Sequence, residues 1–183
     1  MQGQPAYFFE LANTMDKPAL QVVTAAEIAP GTALGAAMLE LNNAHATALS
    51  WLTPERLVQI VAQGYRAWRI GEVDAFMLAL DETASYDSPN FRWFRDRFTR
   101  FVYVDRIVVA QAARGRGLAR MLYDPLIREA AKSGHERIVS EVNLSPPNPE
   151  SDAFHSALGF TEIGSASIHG GAKTVRYLER RLA

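Results

Sequence analysis

The sequence predicts one mixed α/β domain, and three observations carry that prediction. Strand-like and helix-like patterns interleave from one end of the chain to the other. One strand, Phe101–Ala110 (FVYVDRIVVA), is apolar on both faces, as a strand inside a sheet must be. Finally, 183 residues with 48% hydrophobic and 21% charged side chains suffice for one packed core and are few for two. No Pro-, Gly- or Ser-rich linker divides the chain, so residues 1–183 read as a single domain.

Taken in order, Ala19–Thr24 is a short β-branched run, a first strand. Leu34, Ala37, Met38 and Leu41 recur at helical spacing and predict a helix over Ala33–Leu41. A second helix starts at Thr53-Pro54-Glu55. Threonine caps the free N–H groups, proline suits the first helical position, and Leu57, Ile60 and Val61 form one face before Gly64. Tyr65–Ile70 and Val73–Leu80 read as a hairpin around Gly71-Glu72. Residues 81–100 are the least regular, with Tyr86, Phe91, Trp93, Phe94 and Phe98 scattered around the turn residues Pro89-Asn90. After the Phe101–Ala110 strand, a helix carries Leu118, Met121, Leu122, Leu126 and Ala130, with a kink expected at Pro125 and an end at Gly134. Arg137–Leu144 is a strand, Pro146–Pro149 a stiff turn, and Ser151–Leu158 a short helix. Phe160–Ile168 and Thr174–Leu178 close the chain as strands.

Composition removes several functions. With no cysteine, disulfide scaffolds, thiolate metal sites and a cysteine nucleophile are excluded. Nineteen Lys+Arg against 20 Asp+Glu leave a net charge of -1, too little to hold a polyanion by overall field. His45, His135 and His169 have no ligand-like spacing, so no metal is assigned. Met1–Asp16 lacks the basic and apolar regions of a leader, and no apolar run has the length of a membrane helix. The expected location is the cytoplasm, with no membrane partner and no nucleic acid.

The sharpest local feature is a strand, then Arg114-Gly115-Arg116-Gly117, then a helix. Glycines let backbone N–H groups approach a ligand closely, and a helix start adds free donors and a positive dipole end. With Arg114, Arg116 and Arg120, this predicts an anion site suited to a diphosphate. A tight turn with solvated arginines is the alternative. A dinucleotide fingerprint would place glycine where Arg120 stands, and no Gly-Lys-Ser/Thr tripeptide exists for a P-loop.

The segment VDRIVVAQAARGRGLARMLYDPL resembles the acyl-CoA-binding segment of the GNAT N-acetyltransferase superfamily, whose pattern is Gln/Arg-x-x-Gly-x-Gly/Ala. Residues 148–160 (NPESDAFHSALGF) are similar to the superfamily's Asn-x-x-Ala-x-x-x-Tyr-x-x-x-Gly-Phe. The resemblance covers residues 100–163; the earlier half, including 81–100, is where such proteins vary with acceptor. It implies a mostly antiparallel mixed sheet, splayed between its fourth and fifth strands and flanked by helices. It implies an acetyl-CoA-dependent N-acetyltransferase acting on a primary amine of a small molecule, peptide or protein. A non-catalytic acyl-CoA or nucleotide binding module of the same fold is the alternative, and a homodimer is left open.

By the same resemblance, the backbone of Ile107, Val108 and Val109 pairs with the pantetheine arm of acetyl-CoA. Arg114, Gly115, Arg116, Gly117, Leu118, Ala119 and Arg120 hold the diphosphate, and Asn148 and Phe154 line the thiol end. Three positions depart from the pattern. Ala112 stands where Gln or Arg is expected, Ser151 replaces a small alanine, and His155 takes the place of the tyrosine assigned as general acid. Acetyl transfer also needs a base, because an ammonium is no nucleophile. Asp105 and Glu141, carboxylates within central strands, are the candidates, each alternatively a structural ion pair with Arg106 or Arg137. Tyr103 shares a strand face with Asp105 and either orients one of these groups or simply packs in the core. Tyr86, Trp93 and Phe94, with Asp87 for a cationic amine, are candidates for the acceptor wall, or else form a flap over the sheet.

Overall fold

The computed structural model of the chain describes residues 19–183. The reading of Met1–Asp16 as free of a leader, and the side chain of His169, fall outside the described residues. The elements are β1 (Leu20–Val22), α1 (Ala33–Asn43), α2 (Pro54–Ala62), β2 (Arg66–Ile70), β3 (Ala75–Asp81), α3 (Pro89–Arg95), β4 (Phe101–Val109), α4 (Leu118–Lys132), β5 (Arg137–Ser145), α5 (Pro149–Ala157), β6 (Thr161–Ile168) and β7 (Lys173–Arg181). Capping chemistry sets several starts. Thr32, Thr53 and Asn148 accept from the backbone N–H of Gly35, Arg56 and Ser151, at 3.2 Å each. No described helix is long and apolar enough to cross a membrane.

The strands form one sheet in the order β1-β2-β3-β4-β5-β7-β6, antiparallel at every seam except β4–β5. That seam is short. Phe101, Val102 and Tyr103 pair with Arg137, Ile138 and Val139, and then the strands part. β4 continues to Val109 beside β3, and β5 to Ser145 beside β7, so the sheet is splayed where the resemblance places its splay. The facing backbone groups of Val104–Val109 and Ser140–Ser145 have no ladder partner across the gap.

Each face of the sheet carries a core. On one, Phe76, Leu78, Phe101, Tyr103, Val139 and Tyr177 meet Met38 of α1, Leu57 and Ile60 of α2, and Phe91 and Phe94 of α3. On the other, Trp68, Met77, Val102, Ile138 and Leu178 meet Leu118, Leu122, Tyr123 and Leu126 of α4. The alternation is broken once in β4. Leu78 pairs with Arg106 and Ala79 with Val104, which leaves Asp105 as an extra residue. A bulge turns two successive side chains to the same side. Asp105 and Arg106 can therefore pair with each other.

The structure corrects two local expectations. Pro89–Arg95, read as irregular, is a helix. Phe91 and Phe94 are spaced by one turn, and Pro89, taken as a turn residue, fills the first helical position. The hairpin loop runs through Asp74, so β3 starts at Ala75 rather than Val73. As expected from the sequence, α4 is one helix with Pro125 inside it, 15 residues long.

Candidate active site

The gap between β4 and β5 opens into a cavity of about 570 Å³, whose wall runs from the turn before α4 to α5. Gly115 and Gly117 both hold φ of 76°, in the left-handed region that side chains avoid. A Cβ built on either would meet nothing within 4 Å, so the space above the turn is open to a ligand. Gly117 precedes α4 without any side-chain cap, so the first N–H groups of that helix remain available to an anion. Arg114 and Arg116 reach Glu150 at 2.9 Å and Asp74 at 3.2 Å, through exposed pairs that a diphosphate can exchange at small cost. Among the residues the sequence assigned to the cofactor, Arg116 alone does not line this cavity. Ala112 and Gln111 are exposed on the turn outside it.

A second cavity, of about 290 Å³, lies on the α2 side of the sheet. Asp105, Arg106, Glu141 and Asn143 line both, so the two meet at the splay. The two candidate bases differ sharply there. The Asp105 side chain is 4% exposed and fully engaged: Oδ2 accepts from Arg106 Nε at 2.6 Å, and Oδ1 from the Tyr86 hydroxyl at 2.8 Å. Arg106 donates onward to Asn42 of α1 at 2.7 Å. Asp105 is thus half of a buried, braced ion pair. Glu141 Oε1 accepts from Asn90 Nδ2 at 2.8 Å and from the Tyr103 hydroxyl at 3.1 Å, whereas its buried Oε2 has no hydrogen-bond partner. Burial, and then the neighbouring Asp105 charge, push the Glu141 carboxyl up to about 7. It can therefore give and take a proton near neutrality.

At the α5 end, His155 is buried, and both ring nitrogens are engaged. Nδ1 lies 2.8 Å from the Ser151 carbonyl oxygen, so it carries the proton and donates. Nε2 then accepts from the Tyr123 hydroxyl at 2.9 Å. Burial lowers the His155 pKa, which favours this neutral form. Tyr123, Asn148 and Phe154 line the cavity beside it. The buried Ser140 hydroxyl also lines it, beside the Tyr123 hydroxyl.

The aromatic candidates separate. Tyr86 lines the smaller cavity, with the Arg56 guanidinium 4.7 Å from its ring centre and Asp87 paired to Arg56. Trp93 and Phe94 line neither cavity. Phe94 is fully buried, and Trp93 stacks on Tyr177 at 4.1 Å above Gly164, where any Cβ would stand 2.9 Å from the indole. Phe94 turns inward because it shares the buried face of α3 with Phe91, one turn away, whereas Trp93 is half-buried beside that face. Sequence reasoning missed Tyr123, Asn143, His45 and Lys173, which line one cavity or both. Tyr123 and Asn143 lie among apolar residues that mark a core, and nothing local signalled the others. Among the described residues, no three His, Asp or Glu gather as a metal ion would need.

Comparison with known proteins places these features in a family. The model of the acetyltransferase (GNAT) family matches residues 5–160. No curated protein gives a significant sequence match. Solved structures do. The ribosomal-protein-S18-alanine N-acetyltransferase from Escherichia coli superposes with a TM-score of 0.63 at 16% identity, over 90% of this chain and 94% of that one. A GNAT superfamily phosphinothricin acetyltransferase from Sinorhizobium meliloti, solved in complex with acetyl-CoA, gives 0.63 at 20%, over 91% and 89%. An acetyltransferase of the same family from Streptococcus pneumoniae gives 0.65 at 16%, over 90% and 99%.

Proposed function

Because the chain belongs to the GNAT acetyltransferase family, we propose that it moves an acetyl group from acetyl-CoA to a primary amine, with Glu141 as the base. The single observation that carries this reading is the unpartnered Glu141 Oε2 where the two cavities meet. The larger cavity suits the CoA substrate. It offers a glycine turn with free N–H groups and unpaired strand backbone that an amide-bearing arm can pair with. The smaller cavity then receives the amine.

In the transfer, the amine nitrogen bonds to the thioester carbonyl carbon, the carbon–sulfur bond breaks, and the sulfur keeps the electron pair. The proton lost by the nitrogen passes to Glu141 Oε2. Asn90 and Tyr103 hold the other oxygen, so the carboxylate is oriented without being neutralised. Asp105 does not take the proton in this reading, since both its oxygens are committed. Its charge instead raises the Glu141 pKa into the useful range. At the leaving-group end, His155 Nε2 fixes the Tyr123 hydroxyl against the cavity wall by accepting its one O–H, so that hydroxyl must turn from His155 to donate to the sulfur. A CoA thiol resembles an ordinary thiol, of pKa about 8.5, so hydrogen bonding assists its departure without being decisive.

The test is thiol release from acetyl-CoA over an amine panel, with wild type and Glu141→Gln side by side. Amine-dependent release by wild type, reduced about 100- to 10,000-fold in the variant, is expected. Release equal in both proteins would remove Glu141 from the chemistry. Binding of acetyl-CoA without release for any amine would instead leave a binding module.

A further inference from the structure

The smaller cavity has a charge inventory that acetyl transfer alone does not explain. Its wall holds Arg56, Asp87, Asp105, Arg106, Glu141 and Lys173. Arg56 is paired with Asp87, and Arg106 with Asp105. Lys173 has no carboxylate within ion-pair distance among the described residues. Its ammonium donates to the carbonyl oxygens of Leu49 at 2.9 Å and Ala48 at 3.3 Å. An ammonium has three N–H groups, so one donor remains for a ligand, while its charge is felt by Glu141 across the same cavity without an ion pair between them. The side chain is half-buried, and desolvation lowers its pKa, a cost that a counter-anion offsets.

Its position follows from the sheet. Alternation along β7 puts Lys173, Val175 and Tyr177 on one face. Val175 and Tyr177 sit opposite Asn143 and Glu141 of β5. The free cation and the base therefore share one face and one cavity. At about 290 Å³ that cavity falls at the lower edge of small-molecule sites. A lone cation beside a base selects against two acceptor types. A polyamine or lysine side chain brings further positive charge, and a peptide N-terminus has an amide where an anion would be needed.

We propose that the acceptor is a free amino acid or close analogue, its amine at Glu141 and its carboxylate on Lys173. This rests on the acetyl-transfer reading above and narrows it.

The experiment measures thiol release from acetyl-CoA with purified full-length protein. Each amino acid is paired with its own carboxamide, which keeps the amine and removes the anion; polyamines and short peptides complete the panel. Wild type should prefer the acid of its best pair by at least tenfold in kcat/KM. Lys173→Met should bring that ratio toward one, mainly through KM of the acid, and Lys173→Arg should keep most of it. The change in ratio on mutation is independent of the two amines' own basicity. Melting curves identify a variant that fails to fold, in which case the arginine variant and the wild-type ratio decide. Equal use of acid and amide by wild type overturns the proposal. So does an unchanged ratio in Lys173→Met. Release with polyamines or peptides alone overturns it while leaving acetyl transfer intact, and release with no amine overturns both.

Discussion

Replacing Glu141 by glutamine should stabilise the protein above neutral pH while removing its activity. The carboxyl moves from an ordinary 4.5 in the unfolded chain to about 7 in the fold. Between those values the folded state holds a proton that the unfolded state gives up, so stability falls as pH rises through that window. At about 1.4 kcal/mol per tenfold in proton concentration, ionising Glu141 costs the fold about 3 kcal/mol by pH 8. Glutamine carries no charge to bury. Its oxygen can still accept from Asn90 and Tyr103, and its amide brings two donors to the place where the protonated acid brings one, a difference small beside the cost of a buried charge. The variant should therefore match wild type near pH 4.5 and exceed it at pH 8. About 3 kcal/mol corresponds to roughly 6–12 °C in Tm for a chain of this size. Scanning calorimetry at several pH values reads the difference directly. Parallel Tm-against-pH curves for the two proteins, or a less stable glutamine variant at pH 8, would refute the burial and charge argument.

Gly117→Glu should weaken acetyl-CoA binding at least 100-fold by calorimetry, since it puts a side chain and a negative charge where φ is 76° and the helix N–H groups are free. Asp105→Asn should destabilise the fold by about 3–5 kcal/mol in denaturant unfolding, because it leaves Arg106 buried without its partner. In whatever folds, the inflection of the pH–rate profile should move below 7, as Asp105 is one cause of the raised Glu141 pKa. Tyr123→Phe should lower kcat about tenfold, with a stability loss of about 1 kcal/mol. His155→Ala should lose about 3 kcal/mol or more, since the ring is buried and packs against Tyr123, Phe154 and Phe160. If Tyr123→Phe is fully active, the pair is structural.

The glycine turn proposed for the cofactor was legible because its signal is local. Strand, Arg114-Gly115-Arg116-Gly117 and helix are adjacent in the chain, and glycine at a positive φ is a constraint that shows in the residue type. The acceptor side was not, because its geometry is assembled from distant segments. Asp105 and Glu141 look alike in sequence, each a carboxylate within an apolar strand. What separates them is the bulge at Asp105, which turns Arg106 to the same side and ties the pair together. Tyr123 reads as one more core residue of α4, and only the fold brings His155 within 2.9 Å of it. Trp93 and Phe94 read either as an acceptor wall or as a flap over the sheet, because Pro89-Asn90 masked the helix that buries Phe94 and lays Trp93 on Tyr177. Lys173 carries no local signal at all; its meaning depends on how neighbouring charges happen to be paired.

The most direct test of acetyl transfer with Glu141 as base is the pH dependence of kcat/KM for thiol release from acetyl-CoA, measured for wild type and Glu141→Gln on one acceptor. Comparing the two proteins removes the acceptor amine's own titration, which both profiles share. Wild type should rise through an inflection near 7, the pH at which the carboxylate forms. Glu141→Gln should lack that inflection and run about 100- to 10,000-fold lower at pH 8. The same inflection and the same rate in both proteins would contradict it.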